Sequence, residues 1–257
     1  MKLRDKLWIW GQNEGIHHMW DQYGLFSINR MTPFEGAKYF GISNVCRVSV
    51  GGRPEPPLDK EAAVLDAMKN VVWDVSPGNP AALDEILRIA NEHPNTKAAV
   101  MDTFFNEASL KKYTPSDVAG LREKLHTAPK DKPLELWAVL YCDELTEKRI
   151  PYIQECDAIT FWSIHAKYLA SLERNFEKLK TLTGDKPIYC GCYMWDYRGE
   201  RHMPLSLMKH QLDCFYKWLK EGRIEGVIFC SNCIMDIGLE SVSYTKRWIQ
   251  EHGDEEI

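Results

Sequence analysis

Short apolar runs rich in β-branched and aromatic residues alternate along the chain with longer segments whose apolar residues recur every three to four positions. This alternation of periods is the pattern of βαβ units: a parallel strand buries both faces, while its crossover helix buries one stripe. Eight strand candidates stand out, near 7–10, 44–50, 71–75, 98–102, 136–141, 158–163, 188–195 and 226–231. Helix starts fall between them. Thr32-Pro33 with Glu35, Thr114-Pro115 and Met203-Pro204 place proline in or near a first helical turn, where no backbone N–H is required. The segment 166–182 shows the helical period clearly, with Tyr168, Leu169, Leu172, Phe176 and Leu179 on one stripe and charged residues opposite.

Eight strand and helix pairs in 257 residues predict one (β/α)8 barrel, a TIM barrel with a closed parallel sheet, spanning 1–257 as a single domain. An open doubly wound sheet of this size would be expected to carry a nucleotide signature, and neither GxGxxG nor GxxxxGK[ST] occurs. The Gly- and Pro-rich stretch from Gly51 to Pro57 reads as a loop after the second strand rather than a domain linker.

Composition narrows the partners. The chain is 44% hydrophobic and 27% charged, with no run of 18 apolar residues, so it predicts a sizeable core and no membrane span. A formal charge of −5 argues against nucleic acid, whose binding needs a concentrated basic field. The apolar run Leu7 to Trp10 is too short for a signal-peptide core, which predicts a cytoplasmic location as the chain stands, or export if a leader has been removed. Eight scattered cysteines predict reduced thiols rather than a disulfide framework. Nothing in the pattern indicates an oligomeric state.

In a barrel of this kind, catalytic groups come from the carboxyl ends of the strands and the loops that follow. Read to its end, each strand leads to polar or aromatic residues: Gln12, Glu14, His17 and His18 after the first, Arg47 in the second, Trp73 in the third. Asp102 ends the fourth, with Glu107 beyond it; Tyr141 ends the fifth; Trp162 and His165 follow in the sixth; Tyr193, Trp195 and Asp196 in the seventh; Asn232 after the eighth. Carboxylates interleaved with Trp and Tyr suit a carbohydrate, because aromatic faces stack on sugar C–H surfaces while carboxylates bond hydroxyls or move protons. The expected substrate is a small molecule or oligosaccharide.

Asp102 is the sharpest catalytic candidate, since a carboxylate closing the apolar run AAVM is partly desolvated and its pKa can be tuned. Asp196 holds the same position after CYMW, and Glu107 could replace Asp102 if its loop folds back over the mouth. Trp73, Trp162, Tyr193 and Trp195 would form the sugar platform, with Gln12, Glu14, His18, Arg47, Tyr141, His165 and Asn232 as further binding groups. No HxxxH or HxH spacing supports a metal centre on Glu14 and the two histidines. Cys190-x-Cys192 and Cys230-x-x-Cys233 read as buried core thiols, so neither metal nor cofactor is expected. A metal-dependent sugar isomerase or epimerase and a non-catalytic sugar-binding barrel remain as alternative readings.

The stretches AAVMDTFFNE, AITFWS, GCYMWDYRGERHMPLSLM and EGRIEGVIFCSNCIMDIGLESVSYTKRWI resemble a family of uncharacterised bacterial barrel proteins grouped with glycoside-hydrolase-like folds. The resemblance covers nearly the whole chain. It implies the barrel and a carbohydrate role but no particular substrate. The sequence departs from the pattern with Glu after strands four and seven, which puts a two-glutamate mechanism in doubt.

Overall fold

The computed structural model describes residues 1–19, 23–75, 80–130 and 132–257. Eight parallel strands close into a barrel: β1 (Leu7–Gly11), β2 (Asn44–Arg47), β3 (Asn70–Asp74), β4 (Thr96–Met101), β5 (Glu135–Tyr141), β6 (Ala158–Trp162), β7 (Ile188–Tyr193) and β10 (Gly226–Cys230). The ring follows chain order, with β10 pairing β7 on one side and β1 on the other. A two-residue hairpin, β8 (Trp195–Asp196) with β9 (Arg201–His202), stands after β7. The expected closed parallel barrel is therefore the observed fold.

Helices cover the outside. After β1 come a short turn, α1 (Ile16–Met19), and α2 (Pro33–Phe40); α3 (Asp59–Leu65) and α4 (Pro80–Glu92) follow β2 and β3. β4 leads to α5 (Glu107–Lys112) and α6 (Pro115–Thr127), β5 to α7 (Ile150–Gln154) and β6 to α8 (Leu172–Thr183). The last two are α9 (Leu205–Lys220) and α10 (Glu240–His252). The proline starts behave as expected. Thr32 Oγ1 accepts from the Glu35 N–H at 3.3 Å and Glu35 returns a carboxylate to the Thr32 N–H at 2.8 Å, a reciprocal cap that Thr114 and Asp117 repeat for α6.

Several expected boundaries move, among them that of the second strand, which stops at Arg47 rather than 50. The helix read over 166–182 begins as a 3-10 turn over Ala166–Ser171 and becomes α-helical only at Leu172; Leu169, Leu172, Phe176 and Leu179 are buried as expected, while Tyr168 is half-buried against His165. The seventh strand stops at Tyr193, not 195, because the next two-residue strand turns away to pair with β9.

Large aromatics fill the barrel axis. Trp8 meets Trp137 at 5.3 Å and Tyr189 at 5.9 Å across the ring, so Trp8, Trp137 and Tyr189 point inward, and alternation along each strand then fixes the rest. Above them Trp10 packs edge-on to Trp162 at 5.0 Å. That layer depends on a glycine: a Cβ on Gly191 would lie 1.9 Å from the Trp162 ring. In register with Trp137, Val100 points inward, as do Asp74 on one neighbouring strand and Asp102 one step further along its own. The aromatic column is thus a plug beneath a polar mouth at the strands' carboxyl ends.

Candidate active site

Asp102 stands at the inner rim, just past β4. The next residue, Thr103, is left-handed with φ of 50°, uncommon for a β-branched side chain, and its N–H donates to the Asp102 carboxylate. Oδ1 is enclosed and has no hydrogen-bond partner. Burial, opposed by the Thr103 N–H and reinforced by the charge of Glu144, pushes the Asp102 carboxyl up to about 6. Glu144 lies in the turn after β5, accepts from the Tyr141 N–H at 3.1 Å, and is itself raised, chiefly by burial.

Tyrosines wall this space. Tyr141 and Tyr193, inward at the ends of β5 and β7, share a hydrogen bond between their hydroxyls. Burial, with Asp102 among the neighbouring charges, holds both phenols well above their ordinary range. Tyr193 packs at 5.3 Å on Tyr197, which meets Tyr23 at 5.0 Å. The Tyr23 phenol is raised by burial, then by Cys230 and Asp102, so the loop after β1 reaches the same mouth. Cys230 ends β10 with Sγ 3.9 Å from the Tyr197 hydroxyl, and burial keeps it a thiol. His17 lies edge-on to Tyr23 at 5.1 Å and to Tyr197 at 5.5 Å; it is enclosed, and its Nε2 has no partner. Burial, with His18 beside it, lowers its pKa to about 4, which leaves a neutral imidazole at pH 7.

Of the residues expected from the sequence, Asp102, Tyr141 and Tyr193 meet here. Several others are placed differently. Asp196 is fully enclosed; its Oδ1 accepts from the Ala166 and Gly199 N–H groups at 3.0 and 3.1 Å and lies 3.0 Å from His165 Nδ1, while Oδ2 takes Arg201 at 3.2 Å. Burial raises this carboxyl, but those donors outweigh it and hold the pKa below the usual value. Its oxygens are committed to bracing the loops after β6 and β7, and His165 is committed with them. Glu107 does not fold back over the mouth: Phe104 and Phe105 are buried, Arg149 clamps the Phe105 carbonyl at 3.0 Å, and Glu107 emerges exposed at the start of α5.

The tryptophan platform is likewise corrected. Trp73, Trp162 and Trp195 are each 3% exposed or less, and their indole N–H groups go to Thr96, Thr160 and the Tyr23 carbonyl. Trp73 points outward, since its neighbours Val72 and Asp74 point in. Arg47, also outward, is spent on Glu61, the Gly11 and Val48 carbonyls and Asn13. Asn232 accepts from the Gln12 N–H and donates to the Gln12 and Met31 carbonyls, tying the loops after β10 and β1 together. The side chain of Gln12 is separate from this brace: it is buried and its Oε1 is unpaired. Glu14 is exposed, and both ring nitrogens of His18 are enclosed without partners.

The sequence reading assigned no site role to Glu144, Tyr23 or Tyr197, took Cys230 for a buried core thiol, and left His17 open beside His18. All cysteines are free, and all but the half-buried Cys142 are buried. Among the described residues no three His, Cys, Asp or Glu side chains are grouped so as to hold a metal ion, and no helix is long and apolar enough to cross a membrane.

No protein-family model and no curated protein sequence matches the chain. Solved structures do match its fold. An α-L-arabinofuranosidase from Thermotoga maritima superposes with a TM-score of 0.61 at 12% identity, covering 98% of this chain and 71% of that one. Fungal β-1,4-galactanase follows at 0.59 and 11% identity over 94% of this chain and 98% of the other. Tryptophan synthase from Mycobacterium tuberculosis matches at 0.53 and 9% identity, covering 98% and 95%. At such identities the likeness is one of fold: this chain is a barrel similar to those of glycoside hydrolases and to others outside that class.

Proposed function

We propose that the protein is a glycoside hydrolase or a closely related carbohydrate-active enzyme, with Asp102 as its proton-handling group. The observation that carries this reading is the enclosed, unpartnered Oδ1 of Asp102 at the inner rim of the barrel, on a carboxyl raised to about 6. A carboxyl tuned toward neutrality is partly protonated at working pH and can give its proton to a leaving oxygen. Glu144 replaces Asp196 as the second carboxylate of this proposal, because its charge acts on Asp102 while Asp196 is committed elsewhere.

In this scheme the glycosidic C–O bond breaks as Asp102 protonates the departing oxygen. Water adds to the anomeric carbon, and its proton passes to Glu144. The half-buried Tyr23 supplies aromatic surface that the buried tryptophans do not. The similarity to barrels of an arabinofuranosidase and a galactanase supports the reading at the level of fold. The test is turnover across a broad panel of aryl glycosides and natural oligosaccharides. Activity on at least one substrate, lowered about 100-fold or more in Asp102→Asn, is expected. Binding without turnover across the panel would instead favour a sugar-binding barrel.

A further inference from the structure

The loop after β1 holds a cluster of enclosed polar atoms that the protein itself leaves unpaired. Gln12 Oε1 and His17 Nε2 are both buried without a hydrogen-bond partner, on residues 7% and 5% exposed. Alternation from the inward Trp8 and Trp10 places Gln12 on the inner side of the barrel, above the aromatic plug. The ring of His17 rests on Tyr23 and Tyr197, the same aromatic wall that reaches Cys230 and Asp102. Asp102 Oδ1 is the third unpaired atom, on a strand three places round the ring from β1. Buried polar groups in folded proteins are nearly always paired, so the vacancies at Gln12, His17 and Asp102 around one mouth, with both His18 ring nitrogens also unpaired in the same loop, call for partners from outside the chain.

The chemistry of the vacancies defines those partners. An amide oxygen accepts, an imidazole nitrogen accepts or donates according to its tautomer, and a carboxyl raised to about 6 accepts when ionised and donates when protonated. None of the three presents a fixed positive charge. We propose that Gln12, His17 and Asp102 form one binding set that takes an uncharged polyhydroxylated ligand by hydrogen bonding its hydroxyl groups, which both donate and accept; the inference rests on the carbohydrate reading above and narrows it to neutral sugars. A phosphate or uronate would bring negative charge to a set that offers no fixed positive charge and holds a carboxyl of its own. The cation that acts on Tyr23, Arg198, is exposed at the rim rather than enclosed with the set. The neutrality of His17 at pH 7 fits the same picture.

The set makes a forecast that a structural role does not. Apolar replacements of similar shape, Gln12→Met and His17→Phe, remove unpaired buried atoms, so each variant should melt at or above the temperature of the parent while losing ligand. Melting temperatures of the parent and both variants are measured first, alone. Binding is then measured by calorimetry with mannobiose, galactobiose and arabinobiose as uncharged probes, and with glucose 6-phosphate and galacturonate as anionic ones. The expected result is parent binding confined to uncharged probes, weakened about 10-fold or more in each variant, the loss of one good hydrogen bond. Lower melting temperatures in both variants, unchanged affinity in both, or preference for an anionic probe each overturn the proposal. The melting arm can sink this inference while glycoside turnover by the parent stands; absence of all glycan turnover sinks the wider reading whatever the melting arm gives.

Discussion

An aspartate whose carboxyl moves from an ordinary value of 3.8 to about 6 on folding holds its proton more tightly in the native state than in the unfolded chain. Well below the unfolded value both states are protonated and the carboxyl is neutral in its effect. As pH rises between 3.8 and about 6 the unfolded chain ionises first, so native stability falls. Above that window the whole penalty is present, on the order of 3 kcal/mol. Asp102→Asn removes the titrating group, so denaturant unfolding at pH 8 should show the variant as stable as the parent or more so, with the difference closing by pH 3.5. A variant markedly less stable at pH 8 would mean that the carboxylate braces the fold. The left-handed Thr103 beside it is a second local cost at the same place, which is where strain is tolerated when a site requires it.

At the scale of elements, the strands were legible because parallel strands buried on both faces read as continuous apolar runs, and the helices because capping residues and proline mark their starts. Double burial also hid which way each side chain points. Trp73 and Val72 look equally apolar in sequence, yet one faces the helices and the other the axis. Asp196 was misplaced by two residues of strand: with β7 ending at Tyr193, the Asp belongs to a hairpin that turns aside, and its oxygens find N–H donors there. Glu144, visible after the fifth strand, was given no role for the complementary reason, since it lies in a turn that folds back onto the Tyr141 N–H. Asp196→Ala should therefore uncouple the loops after β6 and β7, leaving the Ala166 N–H unpaired and Gly199 with only its bond to the Asp196 backbone carbonyl, at a cost of about 2 kcal/mol. Because its carboxyl is held below the usual value, that contribution is present above about pH 4 and fades as pH falls through the lowered native value. Chemical denaturation of the variant checks the first statement; a variant as stable as the parent would remove Asp196 from its bracing role.

For the whole molecule, the plug and the mouth are one construction: Trp10, Trp162 and Gly191 fill the axis, and Tyr193 stands on them at 5.2 Å from Trp162. Gly191→Ala puts a methyl group inside the Trp162 ring, so the ring must move and the mouth with it. We expect a loss of about 3 kcal/mol in stability, seen by denaturant unfolding. An unperturbed melt would show the axis to be looser than the packing implies. The mouth itself has its most direct test in the pH dependence of kcat/KM, for parent and Asp102→Asn, on a glycoside the parent turns over. With Asp102 as the proton donor, the parent rate should fall as pH rises through an apparent pKa near 6, and the variant should lose both that limb and about 100-fold or more in rate. A variant that keeps the parent's rate and the same limb would contradict the assignment.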